Sequence, residues 1–291
     1  MSKPSRSGTS SCAFCGRPWS DVSRSKEHVR PRWIRKHAGD FAPGHLNHSL
    51  GFGLDQEQKA FVEGPTATAI YKKSIFTTQT REVCAPCNNG WMSTLETQAE
   101  PLFVRLVDAA NTNKYCGLTA SESRILARWT QKTVLTNELT SGTPYSMPHS
   151  LRRRLRDESQ PLTPGYVWVG RLPSNAEMFA IQARLRIGNT RIPDPSQEDR
   201  FGLLSGIAFR RLVVMSYTPS SRRHEAPWMP ITDWTLLSPR TSELGVEFPP
   251  PNDLSIGDIQ RLTTDYTSWL PLSGVNTFMR NPNAPTVAHR N

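Results

Sequence analysis

Four of the five cysteines in this 291-residue chain fall into two CxxC pairs, Cys12-Ala-Phe-Cys15-Gly and Cys84-Ala-Pro-Cys87. Each pair at this spacing forms a knuckle whose two thiolates reach one ion. Two knuckles complete the tetrahedral sulfur set of a closed structural zinc site. Two other uses of the cysteines are weaker readings. Disulfides are disfavoured in a reducing compartment, and a thioredoxin-like redox pair needs one CxxC opening a helix, not two with Gly after the first. Cys116, the odd cysteine, reads as a buried core thiol.

Sixty-eight residues separate the two pairs, so the metal fastens the ends of an inserted unit. Shortly after the first knuckle comes Ser25-Lys26-Glu27-His28-Val29-Arg30-Pro31-Arg32-Trp33. An adjacent carboxylate and imidazole suit phosphodiester hydrolysis, which needs a base to activate water and a cation to stabilise developing charge. His28 is the candidate base and Glu27 the candidate metal ligand; the bland alternative makes His28 a surface or core histidine. The second knuckle runs directly into Asn88-Asn89-Gly90-Trp91, where a helix should begin. The Asn88 oxygen either caps that helix or completes a hard-cation site with Glu27, suited to Mg2+ or Mn2+. Glu96, about two turns along, is a further candidate ligand or a helix-surface ion-pair partner.

Taken together, Cys-x-x-Cys, Glu-His-x-x-Pro and Cys-x-x-Cys-Asn resemble the zinc-containing branch of the HNH endonucleases. The longer string from Val83 to Glu96 is similar to a bacterial and phage subgroup of them. The resemblance spans about residues 12–106. It implies a ββα-metal fold in which a hairpin and a helix clasp one catalytic divalent ion. It also implies Glu27 and Asn88 as ligands of that ion, His28 as general base, the four cysteines as structural zinc ligands, and DNA as substrate, in settings such as phage defence. The sequence departs from the pattern twice. Glu27 stands where Asp or His is commoner, and its extra methylene moves the carboxylate. The middle Asn is not evident in Thr77-Thr78-Gln79-Thr80-Arg81-Glu82, with Asn47 and Asn89 as substitutes.

The elements that must position these groups form an α+β protein: an N-terminal HNH domain with a zinc-ribbon staple, and a C-terminal α/β domain with a mainly antiparallel sheet. The expected boundaries are a tail at 1–11, the nuclease domain at 12–112 with an insertion at about 40–74, a second domain at 118–281 and a tail at 282–291. A strand is expected from Ala69 to Thr77. Apolar residues Trp91, Met92, Leu95, Ala99, Leu102, Phe103 and Leu106 recur at helical spacing, and a second helix runs from Ser121 through Leu139. Strand-like runs follow at Tyr166–Leu172, Ala176–Ile187, Phe201–Phe209 and Leu212–Tyr217. Trp168, Trp228 and Trp234 read as core or rim residues before base-stacking ones.

Thirty-five Lys and Arg against 25 Asp and Glu give a net charge of +10, which favours a polyanionic partner. Nine of the basic residues lie in residues 1–40 against three acidic ones. Arg24, Lys26, Arg30, Arg32 and Arg35 surround the Glu-His pair and are the expected nucleic-acid contacts. The Arg152, Arg153, Arg154 and Arg156 cluster reads first as a solvated helix face. Mean hydropathy is -0.50 and no apolar run is long enough to span a bilayer, so a membrane role is not expected. An N-terminus without an apolar secretory core points to the cytoplasm. Two functions follow as expectations: a metal-dependent DNA endonuclease, or a zinc-ribbon nucleic-acid-binding protein without catalysis.

Overall fold

The computed structural model describes residues 10–38, 45–55, 60–71, 75–140, 147–174, 179–186, 201–220, 234–238, 246–250, 252–254 and 271–279. In chain order these form β1 (Glu27–His28), α1 (Arg32–Ala38), β2 (His45–Asp55), β3 (Ala60–Tyr71), β4 (Gln79–Thr80), α2 (Ala85–Cys87), α3 (Ser93–Thr112), β5 (Cys116–Leu118), α4 (Ala120–Glu138) and α5 (His149–Asp157). The sheet strands β6 (Tyr166–Arg171), β7 (Phe179–Arg186), β8 (Phe201–Phe209), β9 (Leu212–Pro219), β10 (Thr235–Ser238), β11 (Val246–Phe248) and β12 (Pro271–Met279) follow. The protein is a mixed helix and antiparallel-sheet structure, as its apolar patterns predict.

Both long helices have local reasons to start and stop where they do. Thr119 opens α4 with a reciprocal capping box: its hydroxyl accepts from the Glu122 N–H at 3.2 Å, and the Glu122 carboxylate accepts from the Thr119 N–H at 2.7 Å. On α3, Leu95, Ala99, Leu102, Phe103, Leu106 and Ala110 form one buried stripe, and the helix ends at Asn113 in the left-handed region. An aromatic junction locks the layers together. Trp33 of α1 lies 5.4 Å from Phe103 of α3 and 5.6 Å from Trp129 of α4, while Phe103 meets Phe209 of β8 edge-on at 5.0 Å. Such pairs contribute about 0.5–1.5 kcal/mol each beyond the area they bury.

Eight strands form one sheet in the order β10-β6-β9-β8-β7-β12-β2-β3, with every neighbouring pair antiparallel. β6 and β9 are buried at every position, which accounts for their apolar runs Tyr166–Val169 and Leu212–Met215. One face packs Val167, Val169, Leu212 and Val214 against α3 and α4. Gly170 is closely approached by Leu254 and Trp234; a Cβ there would lie 2.2 Å from the Leu254 Cδ1.

Several expectations change. The segment read as an insertion at 40–74 contributes the hairpin β2–β3, which extends the large sheet through β12. The strand expected at Ala69–Thr77 begins earlier and ends at Tyr71, because Ile75–Thr77 makes a 3-10 turn that delivers the chain to β4. Ser11, expected at the end of the N-terminal tail, pairs with Pro18. In the arginine cluster on α5, Arg153 is exposed and Arg154 and Arg156 are half-buried, but Arg152 departs from a solvated face: it is buried and pairs with buried Glu138, and its guanidinium also donates to the Met147 carbonyl at 2.9 Å. Cys116, Trp168 and Trp234 are buried, as core residues should be. Trp228 and the 282–291 tail lie outside the described residues.

Candidate metal cluster and histidine site

The first knuckle is a tight turn. The Gly16 N–H donates to the Cys12 carbonyl at 2.9 Å, and Gly16 takes φ +73°, a conformation for which glycine has no steric penalty. That is why a glycine follows the second cysteine. A side chain at this position would also meet Arg153 and His149, which donate toward the Cys15 and Cys12 carbonyls from α5. In the second knuckle Cys84 precedes α2, Pro86 supplies a preset φ in the first turn, and the Asn88 N–H returns to the Cys84 carbonyl at 3.0 Å.

The four buried sulfurs of Cys12, Cys15, Cys84 and Cys87 lie within 4.8 Å of one another and can hold a metal ion. Cys12 and Cys87 are 4.0 Å apart, and Cys15 and Cys84 are 3.6 Å apart. A zinc–sulfur bond of about 2.3 Å gives tetrahedron edges of about 3.8 Å, so the donor set fits zinc in both chemistry and size. The thiols have opposed proton affinities. The hydrogen bond shared with Cys87 lowers Cys12 to about 4, whereas burial pushes Cys84 up to about 11 and the Cys12 contact pushes Cys87 up further. Full deprotonation of such a buried set requires a cation among the sulfurs. Among the described residues this is the only group of three or more His, Cys, Asp or Glu side chains placed to hold a metal.

Backbone pairing brings the Glu-His segment to this cluster. Arg24 bridges Cys84, the Ser25 N–H donates to the Val83 carbonyl at 2.9 Å, and β1 pairs with β4 so that Glu27 faces Thr80 and His28 faces Gln79. Side chains alternate along a strand, so adjacent Glu27 and His28 point to opposite faces. Glu27 turns inward, and His28 stays half-buried at the surface.

His28 Nε2 lies 2.7 Å from the Gln79 amide nitrogen and 3.4 Å from Arg32 Nε. Arginine can only donate, so Nε2 carries the lone pair and the ring proton sits on Nδ1. Burial, aided by the Arg32 charge, holds the His28 pKa below its ordinary value. The imidazole is therefore neutral at neutral pH, with its basic nitrogen at the surface.

Glu27 faces a different partner. Its Oε1 accepts from Lys132 Nζ of α4 at 2.6 Å, and the same ammonium donates to Glu96 Oε1 of α3 at 2.5 Å. Burial raises the Glu27 pKa against the opposing pull of Lys132. Burial would lower Lys132, but the two carboxylates outweigh it and leave Lys132 raised. The hard-cation pair expected of Glu27 and Asn88 does not fit this arrangement, because the Glu27 carboxylate is directed onto an ammonium. Glu96 is an ion-pair partner, as one expectation had it, partly buried and reaching a fully buried lysine.

Asn88 does not cap α3. It lies inside a helical run, between Cys87 and the kink at Gly90, and its half-buried side chain makes no hydrogen bond among the described residues. Asn47 lies on β2 of the large sheet and Asn89 is exposed beyond the knuckle, so Gln79 takes the position facing His28. Of the expected basic contacts, Arg24, Lys26, Arg32 and Arg35 are exposed, and Arg24 also stacks 4.1 Å over Trp19. Arg30 is the exception: it is buried, and burial lowers its pKa to about 10, so it does not belong to a phosphate-binding surface.

Lys132 and Gln79 were not singled out in the sequence, though a signal existed for each. Lys132 falls three residues after Trp129 and seven after Ile125 on an apolar helix stripe, where an unpaired charge would be costly. Gln79 lies in the Thr77–Glu82 segment, where the family pattern calls for an asparagine. Comparison with protein-family models, curated proteins and solved structures gives no match to this chain.

Proposed function

We propose that this chain is a nuclease whose ββα unit is stapled by one zinc ion at Cys12, Cys15, Cys84 and Cys87, with His28 as general base and DNA as substrate. The observation that carries the reading is the placement of His28: a neutral imidazole at the surface of the β1–β4 ribbon, beside the cysteine cluster, with its basic nitrogen facing Gln79 and Arg32. In the reaction a water oxygen bonds to phosphorus while His28 Nε2, giving up the hydrogen bond it accepts from Gln79, takes the water's proton. One bridging P–O bond breaks, and the leaving alkoxide takes a proton from solvent. Arg32, within reach of His28, is placed to stabilise charge on the non-bridging oxygens. Exposed Arg24, Lys26 and Arg35 supply phosphate contacts that position without specifying sequence.

The resemblance to HNH enzymes also calls for Mg2+ or Mn2+ at Glu27 and Asn88, and no step is assigned to that ion because Glu27 faces Lys132. The same observation favours the second reading, a zinc-stapled DNA-binding module without catalysis. Nicking of supercoiled plasmid by the wild type, lost in His28→Ala, supports the nuclease. DNA binding without nicking, with or without Mg2+ or Mn2+, supports the module.

A further inference from the structure

Two carboxylates from distant parts of the chain converge on one nitrogen. Glu27 of β1 is 105 residues from Lys132, and Glu96 of α3 is 36 residues from it, yet both place an oxygen within 2.6 Å of the ammonium. Two carboxylates this close repel unless a cation lies between them. In a metal-dependent hydrolase that cation would be a divalent ion. Here it is covalently part of the chain.

We propose that Lys132 is the resident cation of the Glu27–Glu96 pair, holding permanently the place a divalent ion would take and thereby positioning the Glu27-His28 strand. Lys132 has no solvent exposure, and Trp129, Thr130, Gln131, Val134 and Leu135 around it on α4 are buried as well. The ammonium has no exposed surface to swing to. Magnesium keeps several waters in an octahedral shell at about 2.0–2.1 Å, and a fully enclosed ammonium leaves no space for one. The consequence for the site is geometric. Tying Glu27 inward fixes the register of a two-residue strand, and strand alternation then directs His28 outward toward Gln79. Lys132 is thus a positioning residue for His28, and it links the cysteine-rich unit to α4. This inference rests on the Lys132 geometry and holds whether or not His28 cuts DNA.

The test is Mn2+ binding to the zinc-loaded full chain, followed by the electron paramagnetic resonance of the free ion. The wild type should take up no equivalent of Mn2+ that Glu27→Gln abolishes. Lys132→Ala leaves two carboxylates without their cation and should gain one equivalent, lost again in Lys132→Ala/Glu27→Gln. One equivalent bound by the wild type and lost in Glu27→Gln would overturn the proposal, as would a folded Lys132→Ala protein that gains none. If Lys132→Ala fails to fold, the comparison of wild type with Glu27→Gln decides alone.

Discussion

Glu27 Oε1 and Lys132 Nζ, 2.6 Å apart and both buried, tie the ribbon that carries His28 to the helix α4. The neighbouring residue on that ribbon faces the other way, so one dipeptide serves the interior with its carboxylate and the surface with its imidazole.

Removing one partner of this pair should be expensive. Lys132→Met leaves buried Glu27 and partly buried Glu96 without a cation, and loss of one member of a buried ion pair costs about 3–5 kcal/mol. Urea denaturation should show that loss in the single variant and partial recovery in Lys132→Met/Glu27→Gln. A single variant as stable as the wild type would mean that the contact is not formed in solution.

The cysteine cluster should carry one zinc per chain. Cys84→Ser should lose the metal and unfold the segment it fastens, since structural zinc contributes about 10–16 kcal/mol in small zinc-folded peptides. Elemental analysis and the near-ultraviolet dichroism of Trp19 and Trp91, which pack against this cluster, would report both effects. Unchanged zinc content in Cys84→Ser would contradict the four-sulfur site.

The pH dependence of cutting follows from His28. A base works only when deprotonated, and the burial and Arg32 charge that lower its pKa place the acidic limb of the rate profile below the ordinary histidine value. Arg32→Gln removes a positive neighbour, so the limb should move toward higher pH. A limb unmoved in Arg32→Gln would separate Arg32 from the base.

Phosphate contacts should show in salt dependence. Arg35→Ala, at an exposed position, should flatten the slope of log affinity against log salt by about 0.9 for one lost contact. Arg30→Ala should instead lower stability, because that guanidinium is buried.

Much of this architecture was legible in the residues. The CxxC spacing announced a sulfur cluster because its geometry is local, and apolar periodicity marked α3, α4 and strands β6 to β9 within a few residues. What escaped was long-range. That Lys132 would meet Glu27 depends on α4 packing across α3, and no local pattern carries that information. The inward turn of Glu27 depends on the register of β1 with β4, which four residues of weak strand propensity do not announce. The 40–74 segment read as a separate insertion because its sheet partner, β12, is more than 200 residues away in sequence.

The central claim is tested most directly by nicking of supercoiled plasmid by His28→Ala beside the wild type, with DNA binding and zinc content measured on the same preparations. The account predicts that the variant binds DNA and zinc as the wild type does and loses cutting. Equal cutting by both proteins would contradict the role assigned to His28.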